Sequence, residues 1–231
     1  MRGLCKSFVL FCFCVVISLN ADAQKHTFAG FQRYAKENAT MGLPAGRNHR
    51  VVFLGNSITE FWMRNHSEFF LENDYICRGI GGQTSYQFLL RFREDVIKLQ
   101  PKVVVINAGT NDIAENTGPY VEEYTFGNIV SMVELARANK IKVVLTSVLP
   151  ARQFPWHSSV TGAMDKIRSL NARIMDYAVK NNIPYVDYFS ALVNEAGDAM
   201  DAEYAPEGVH PNIKGYAVME QLIKPVVEKI R

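Results

Sequence analysis

The chain is short of cysteine, of net charge and of long apolar runs, and each shortage excludes a class of protein. Its four cysteines are Cys5, Cys12, Cys14 and Cys77. The first three fall in an N-terminal segment with the marks of a leader, so one thiol is expected to remain and no internal disulfide can form. Cys77 follows Tyr75 and Ile76 in a strand-like segment and reads as a small core residue, not a nucleophile. The formal charge is +2, and falls to +1 when Arg2, Lys6 and Asp22 are removed with the leader. Neither value argues for nucleic acid or for a strongly acidic partner. There is no internal repeat, low-complexity tract or interdomain linker. The first loop also lacks a dinucleotide or P-loop pattern.

The one apolar run of note, residues 7–19, is too short for a good spanning helix. It follows Arg2 and Lys6 and precedes Ala21-Asp22-Ala23, the order of a secretory signal peptide cleaved after Ala23. Leu10-Phe11 before Cys12, and Phe13 before Cys14, do not supply the small residues a lipoprotein signal needs. The expectation is a soluble, exported protein without a stable membrane anchor, periplasmic or extracellular. Residues 24–231 are expected to form a single domain, large enough for a substantial core without disulfides.

What is present is an alternation of two periods. Residues 51–54, 75–77, 103–106, 143–146 and 185–186 are short, apolar and rich in β-branched side chains. Between them, 59–71, 85–99, 119–139, 163–181 and 213–230 carry helical spacing. Continuous apolar strands indicate a parallel sheet buried on both faces. The fold class is therefore α/β, a three-layer α/β/α sandwich around five parallel strands. Pro101, Pro184 and Pro211 mark element starts, and Pro225 is expected to kink the last helix or end its regular part. Residues 24–49 form an N-terminal arm, with a helix near 31–38 and a Gly/Pro loop at 42–46.

Four segments carry chemistry, in order: Phe-Leu-Gly-Asn-Ser-Ile-Thr (53–59), Ile-Gly-Gly-Gln-Thr-Ser (80–85), Asn-Ala-Gly-Thr-Asn-Asp (107–112) and Pro-Glu-Gly-Val-His-Pro-Asn (206–212). Singly, each has an ordinary reading. Ser57 to Glu60 fits a helix capping box, Gly79, Gly81 and Gly82 fit a tight turn, Asn111-Asp112 fits a turn or cap, and His210 fits a surface position before a helix. Jointly they fit one reaction. Ligands bind at the carboxyl ends of parallel strands, and Ser57, Gly81 and Asn111 follow the first three. A serine hydroxyl needs a base, which His210 can be. The tetrahedral oxyanion needs fixed donors, which the Ser57 and Gly81 amides and the Asn111 carboxamide can be.

Those blocks resemble the SGNH hydrolases, also called GDSL esterases and lipases, through essentially the whole mature chain. The resemblance implies a flavodoxin-like sandwich, neither metal nor organic cofactor, and hydrolysis of an ester substrate. It also implies Ser57 as nucleophile, Gly81 and Asn111 as oxyanion donors and His210 as general base. The family usually has aspartate three residues before the histidine. Here that position is Glu207, which is expected to orient His210 directly. The alternatives are a backbone carbonyl, Asp187 or Asp201.

For substrate, Trp156 in Pro-Ala-Arg-Gln-Phe-Pro-Trp-His (150–157) follows the fourth strand. It reads either as a stacking surface for a sugar or as a loop anchor, while Arg152 or His157 could bind a polar leaving group. Trp62 reads as core. Export and the lack of a lid-like insertion lean towards short acyl groups, acetyl above all, on carbohydrate. A lysophospholipase or thioesterase of the same superfamily, a catalytically impaired carbohydrate-binding relative and a flavodoxin-like phosphate binder are the other readings. The sequence does not fix the oligomeric state.

Overall fold

The structure is a computed structural model and describes residues 28–44 and 48–231. The leader read at 1–23 and part of the loop read at 42–46 lie outside the described residues. Five parallel strands build the sheet: β1 (Val51–Gly55), β2 (Tyr75–Gly79), β3 (Val103–Ile106), β4 (Lys142–Thr146) and β5 (Tyr185–Val186), in the order β2-β1-β3-β4-β5. This is the flavodoxin-like order, in which the chain reverses direction across the sheet next to β1.

Helices cover both faces. They are α1 (Gln32–Met41), α2 (Ser57–Asn65), α3 (Ser67–Leu71), α4 (Ser85–Asp95), α5 (Thr110–Ile113), α6 (Glu122–Ala138), α7 (Ala163–Lys180), α8 (Tyr188–Leu192) and α9 (Ile213–Ile230). Alternate strand residues point to opposite faces, and the core divides accordingly. Val52, Leu54, Val104 and Ile106 pack with Phe88 and Phe92 of α4, Met132 of α6 and Leu170 of α7. Val51, Phe53, Val103 and Val105 pack with Trp62 of α2, Phe70 of α3 and Tyr216 and Ile223 of α9. Trp62 is core, stacked on Phe69 and Tyr216.

The sequence reading needs correcting in its helices. The segment 59–71 is two helices, broken at His66, whose backbone leaves the helical region (φ −147°, ψ 54°). The segment 85–99 ends as α4 at Asp95, followed by a separate 3₁₀ turn over Ile97–Leu99. Pro225 does not end α9, which runs on to Ile230 because Met219, Ile223 and Val227 keep one apolar face buried across it. The short α5 and α8 were not foreseen.

Two glycines are required by position. Gly109 opens α5 at φ +124°, and a side chain there would press within 2.8 Å of Leu170 and Val148. Gly79 ends β2 where a side chain would collide with the backbone of Glu60, so β2 and α2 can touch only through glycine.

Candidate active site

Ser57 is the first residue of α2, directly beyond β1. Asn56, not Ser57, caps the helix: its carboxamide oxygen accepts from the Ile58 N–H at 2.9 Å. The Ser57 hydroxyl is thereby released, and its N–H lies in the first turn, where no intrahelical carbonyl can take it. The loop before α9 returns His210 to this point. Ser57 Oγ is 2.8 Å from His210 Nε2, and His210 Nδ1 is 2.8 Å from Glu207 Oε1. With Nδ1 protonated towards the carboxylate, Nε2 is left as an acceptor for the Ser57 hydroxyl. Glu207 Oε1 also accepts from the backbone N–H groups of Val209 and His210, which ties the carboxylate into the same turn as the imidazole. The longer glutamate arm is taken up by that turn. Asp187 instead caps α8 through Ser190, and Asp201 accepts from the Glu203 N–H.

The imidazole lies between two aromatic rings, Phe61 at 5.0 Å and Trp156 at 6.0 Å between centroids. Arg64 sits over the outer ring, 4.0 Å from the Phe61 centroid. Trp156 is 45% exposed, so it is not an anchor buried beneath its own loop. Its indole N–H donates to Asn116 Oδ1 at 2.9 Å, and Asn116 Nδ2 donates to the Gly82 carbonyl at 2.9 Å. Trp156 is thus hinged to the glycine loop that follows β2. His157 Nδ1 lies 2.6 Å from the Ala114 carbonyl. Arg152 is committed elsewhere: it donates to the Asp198 carboxylate and holds that carboxyl below its ordinary range. The structure therefore ties Arg152 to the turn around Asp198, not to the residues around Ser57.

Asn111 is buried in α5. Its carboxamide donates one N–H to the Gln83 carbonyl at 2.9 Å and keeps a second donor. Gln83 is itself fixed from two sides, accepting from Arg91 Nε at 2.6 Å and donating to the Ala29 carbonyl at 2.9 Å. Next to Asn111, buried Asp112 accepts from the Ser85 N–H at 3.0 Å and from the hydroxyls of Ser85 and Thr125. Burial pushes the Asp112 carboxyl up, against the pull of those donors.

Gly81 lies beside Ser57, with its N–H pointing at Glu60. That amide donates to Glu60 Oε2 at 2.7 Å, and Glu60 Oε1 accepts from Arg33 of α1 at 3.1 Å. Sequence reasoning took Glu60 only for a capping residue and did not single out Phe61 or Asn116. One signal was available for the first two: they lie three and four positions after Ser57, on the same side of its helix.

The fold has its counterpart among known proteins. The model of the GDSL-like lipase/acylhydrolase family matches residues 53–218. The chain belongs to this family, part of the SGNH hydrolases, and is a hydrolase acting on esters. A GDSL-like lipase from Bacteroides thetaiotaomicron is 60% identical, over 87% of this chain and 98% of that one, with a TM-score of 0.86. A structure from Bacteroides fragilis is 58% identical over 88% and 99%, with a TM-score of 0.87. The Bacillus subtilis lipoprotein YqeF is 29% identical over 65% of this chain and 72% of its own length.

Proposed function

We propose that this chain is an exported serine esterase that removes short acyl groups, acetyl above all, from carbohydrate. The observation that carries the reading is the continuous line from Ser57 Oγ to His210 Nε2 and from His210 Nδ1 to Glu207. In that arrangement His210 takes the hydroxyl proton as Ser57 Oγ bonds to the ester carbon. Glu207 holds the ring and stabilises the imidazolium formed. The oxyanion is met by the Ser57 and Gly81 amides and the free N–H of Asn111. On collapse the carbon–oxygen bond to the alcohol breaks and His210 returns its proton to that oxygen, leaving an acyl-serine. Water, deprotonated by the same imidazole, releases the acid and restores Ser57.

The sugar assignment is supported by Trp156, whose exposed ring stands beside His210 and offers an apolar face with a polar tip. The preference for short acyl groups is supported by the lack of any lid-like insertion in the sequence. Hydrolysis of p-nitrophenyl esters from acetyl to long acyl, with Ser57→Ala as background, tests both parts. Serine-dependent turnover falling steeply beyond short chains is expected, with acetate released from acetylated oligosaccharides. Preference for long acyl chains would overturn the substrate assignment, and full activity in Ser57→Ala would overturn the mechanism. Export is supported by the N-terminal segment. A secreted or periplasmic product beginning at Gln24 is expected from N-terminal sequencing, and a cytoplasmic product retaining Met1 would refute it.

A further inference from the structure

We propose that Glu60 is a built-in ligand of the oxyanion hole, holding the Gly81 donor in the resting enzyme and yielding it to the substrate. This rests on the serine esterase reading. Three groups share one small volume. A Cβ placed on Gly81 would lie 3.0 Å from Glu60 Oε2 and 3.8 Å from Ser57 Cβ. The Gly81 N–H is already bound to Glu60 at 2.7 Å. One amide hydrogen cannot serve a carboxylate and a developing alkoxide at full strength, and a fixed negative charge beside the hole opposes the charge that forms there.

The structure also holds the alternative partner. Arg33, carried by the N-terminal arm, binds the other Glu60 oxygen at 3.1 Å through Nη2. A guanidinium presents a fork that can take both oxygens of one carboxylate. Glu60 can therefore leave Gly81 without becoming unpaired, by turning both oxygens onto Arg33. The arm is anchored for this role: Tyr34 donates to the Gly79 carbonyl at 2.5 Å, and buried Arg78 binds Glu37 and Asn38. The Gly81 loop is tied to the same arm through Gln83 and the Ala29 carbonyl. Glu60 thus acts on the hole by controlling when its second donor is free.

The test compares the wild-type protein with Glu60→Ala and Glu60→Gln, using phenylboronic acid as probe. Ser57 Oγ adds to boron, its proton passes to His210, and the tetrahedral boronate carries the negative charge an oxyanion would carry. Inhibition is expected to tighten about tenfold in Glu60→Ala, well inside the hundred- to thousandfold that one oxyanion donor is worth. Glu60→Gln, neutral but still able to accept from Gly81, should fall between, and thermal unfolding checks that both variants are folded. Independently, the Gly81 amide proton resonance, shifted downfield by a charged acceptor, should move upfield in Glu60→Ala. Unchanged or weaker boronate inhibition in a folded variant would overturn the proposal, and so would an unmoved Gly81 resonance. A Gly81 resonance that moves while Ser57→Ala leaves boronate inhibition intact would support the occupancy and count against the serine esterase reading alone.

Discussion

Glu207 stands where the family usually has aspartate, and its side chain is 48% exposed. Both facts bear on what its charge is worth. The turn that binds Glu207 to the Val209 and His210 amides brings the longer arm onto Nδ1, but solvent screening weakens the pull of an exposed carboxylate on the ring. Neutralising an orienting carboxylate costs about ten-thousandfold in a serine protease, where it is buried. Glu207→Gln is accordingly expected to lower kcat by a smaller factor, about a hundredfold, with KM little changed in steady-state ester hydrolysis. Retention of nearly full turnover would remove Glu207 from the mechanism. Ser57, His210 and Glu207 were legible in the sequence because each lies in a short segment whose chemistry is local. The engagement of Gly81 was not, since its acceptor lies 21 positions away and one carboxylate side chain decides it. Trp156 was legible as a candidate, but its hinge through Asn116 depends on two loops meeting in space.

Among the elements, all five strands were legible as apolar runs, although β2 runs past its apolar part through Arg78 to Gly79 and β4 starts one residue earlier, at exposed Lys142. The helices were less so. Periodicity continues through His66 although the backbone does not, and α5 and α8, of four and five residues, are too short for a period to show. What holds the strand ends at the site was equally hidden. Buried Arg91 of α4 donates to the Gly55 carbonyl of β1, the Arg78 carbonyl of β2, Gln83 and Asp95. It therefore clamps together the two strands that carry Ser57 and the Gly81 loop, while Asp95 compensates its charge from within the same helix. Removing one member of a buried pair strands the other. Arg91→Met should lose about 3–5 kcal/mol in urea unfolding. Arg91→Met with Asp95→Leu should recover part of the loss without restoring turnover, because the carbonyls of Gly55 and Arg78 remain unclamped. Full recovery of activity in the double variant would mean that the clamp does not position the site.

At the scale of the whole molecule, stability is coupled to pH through Asp112. Burial raises its carboxyl in the folded chain, so the folded state binds that proton more tightly than the unfolded state. The stabilisation this gives is complete below the ordinary carboxylate range and is lost as pH rises through the higher native value. Asp112→Asn keeps the Ser85 contact and cannot ionise. Its urea midpoint is expected to fall less than that of the wild type as pH rises from about 4, the ordinary carboxylate value, because only the wild type must give up the tightly held proton. Folding kinetics belong to the same scale. Trp62 stacks on Tyr216 at 5.5 Å and donates to Glu220, so its fluorescence, read in a Trp156→Phe background, reports the docking of α9. Ester turnover is expected to return on refolding no earlier than that signal. The reason lies in where the chain places its two reacting groups, 153 positions apart. The nucleophile follows the first strand of the sheet and the base lies in the loop before α9, so the two cannot meet until that loop has been added. A growing polypeptide carries Ser57 before it has His210 to activate it, and the ability to cut an ester is the last property the molecule acquires.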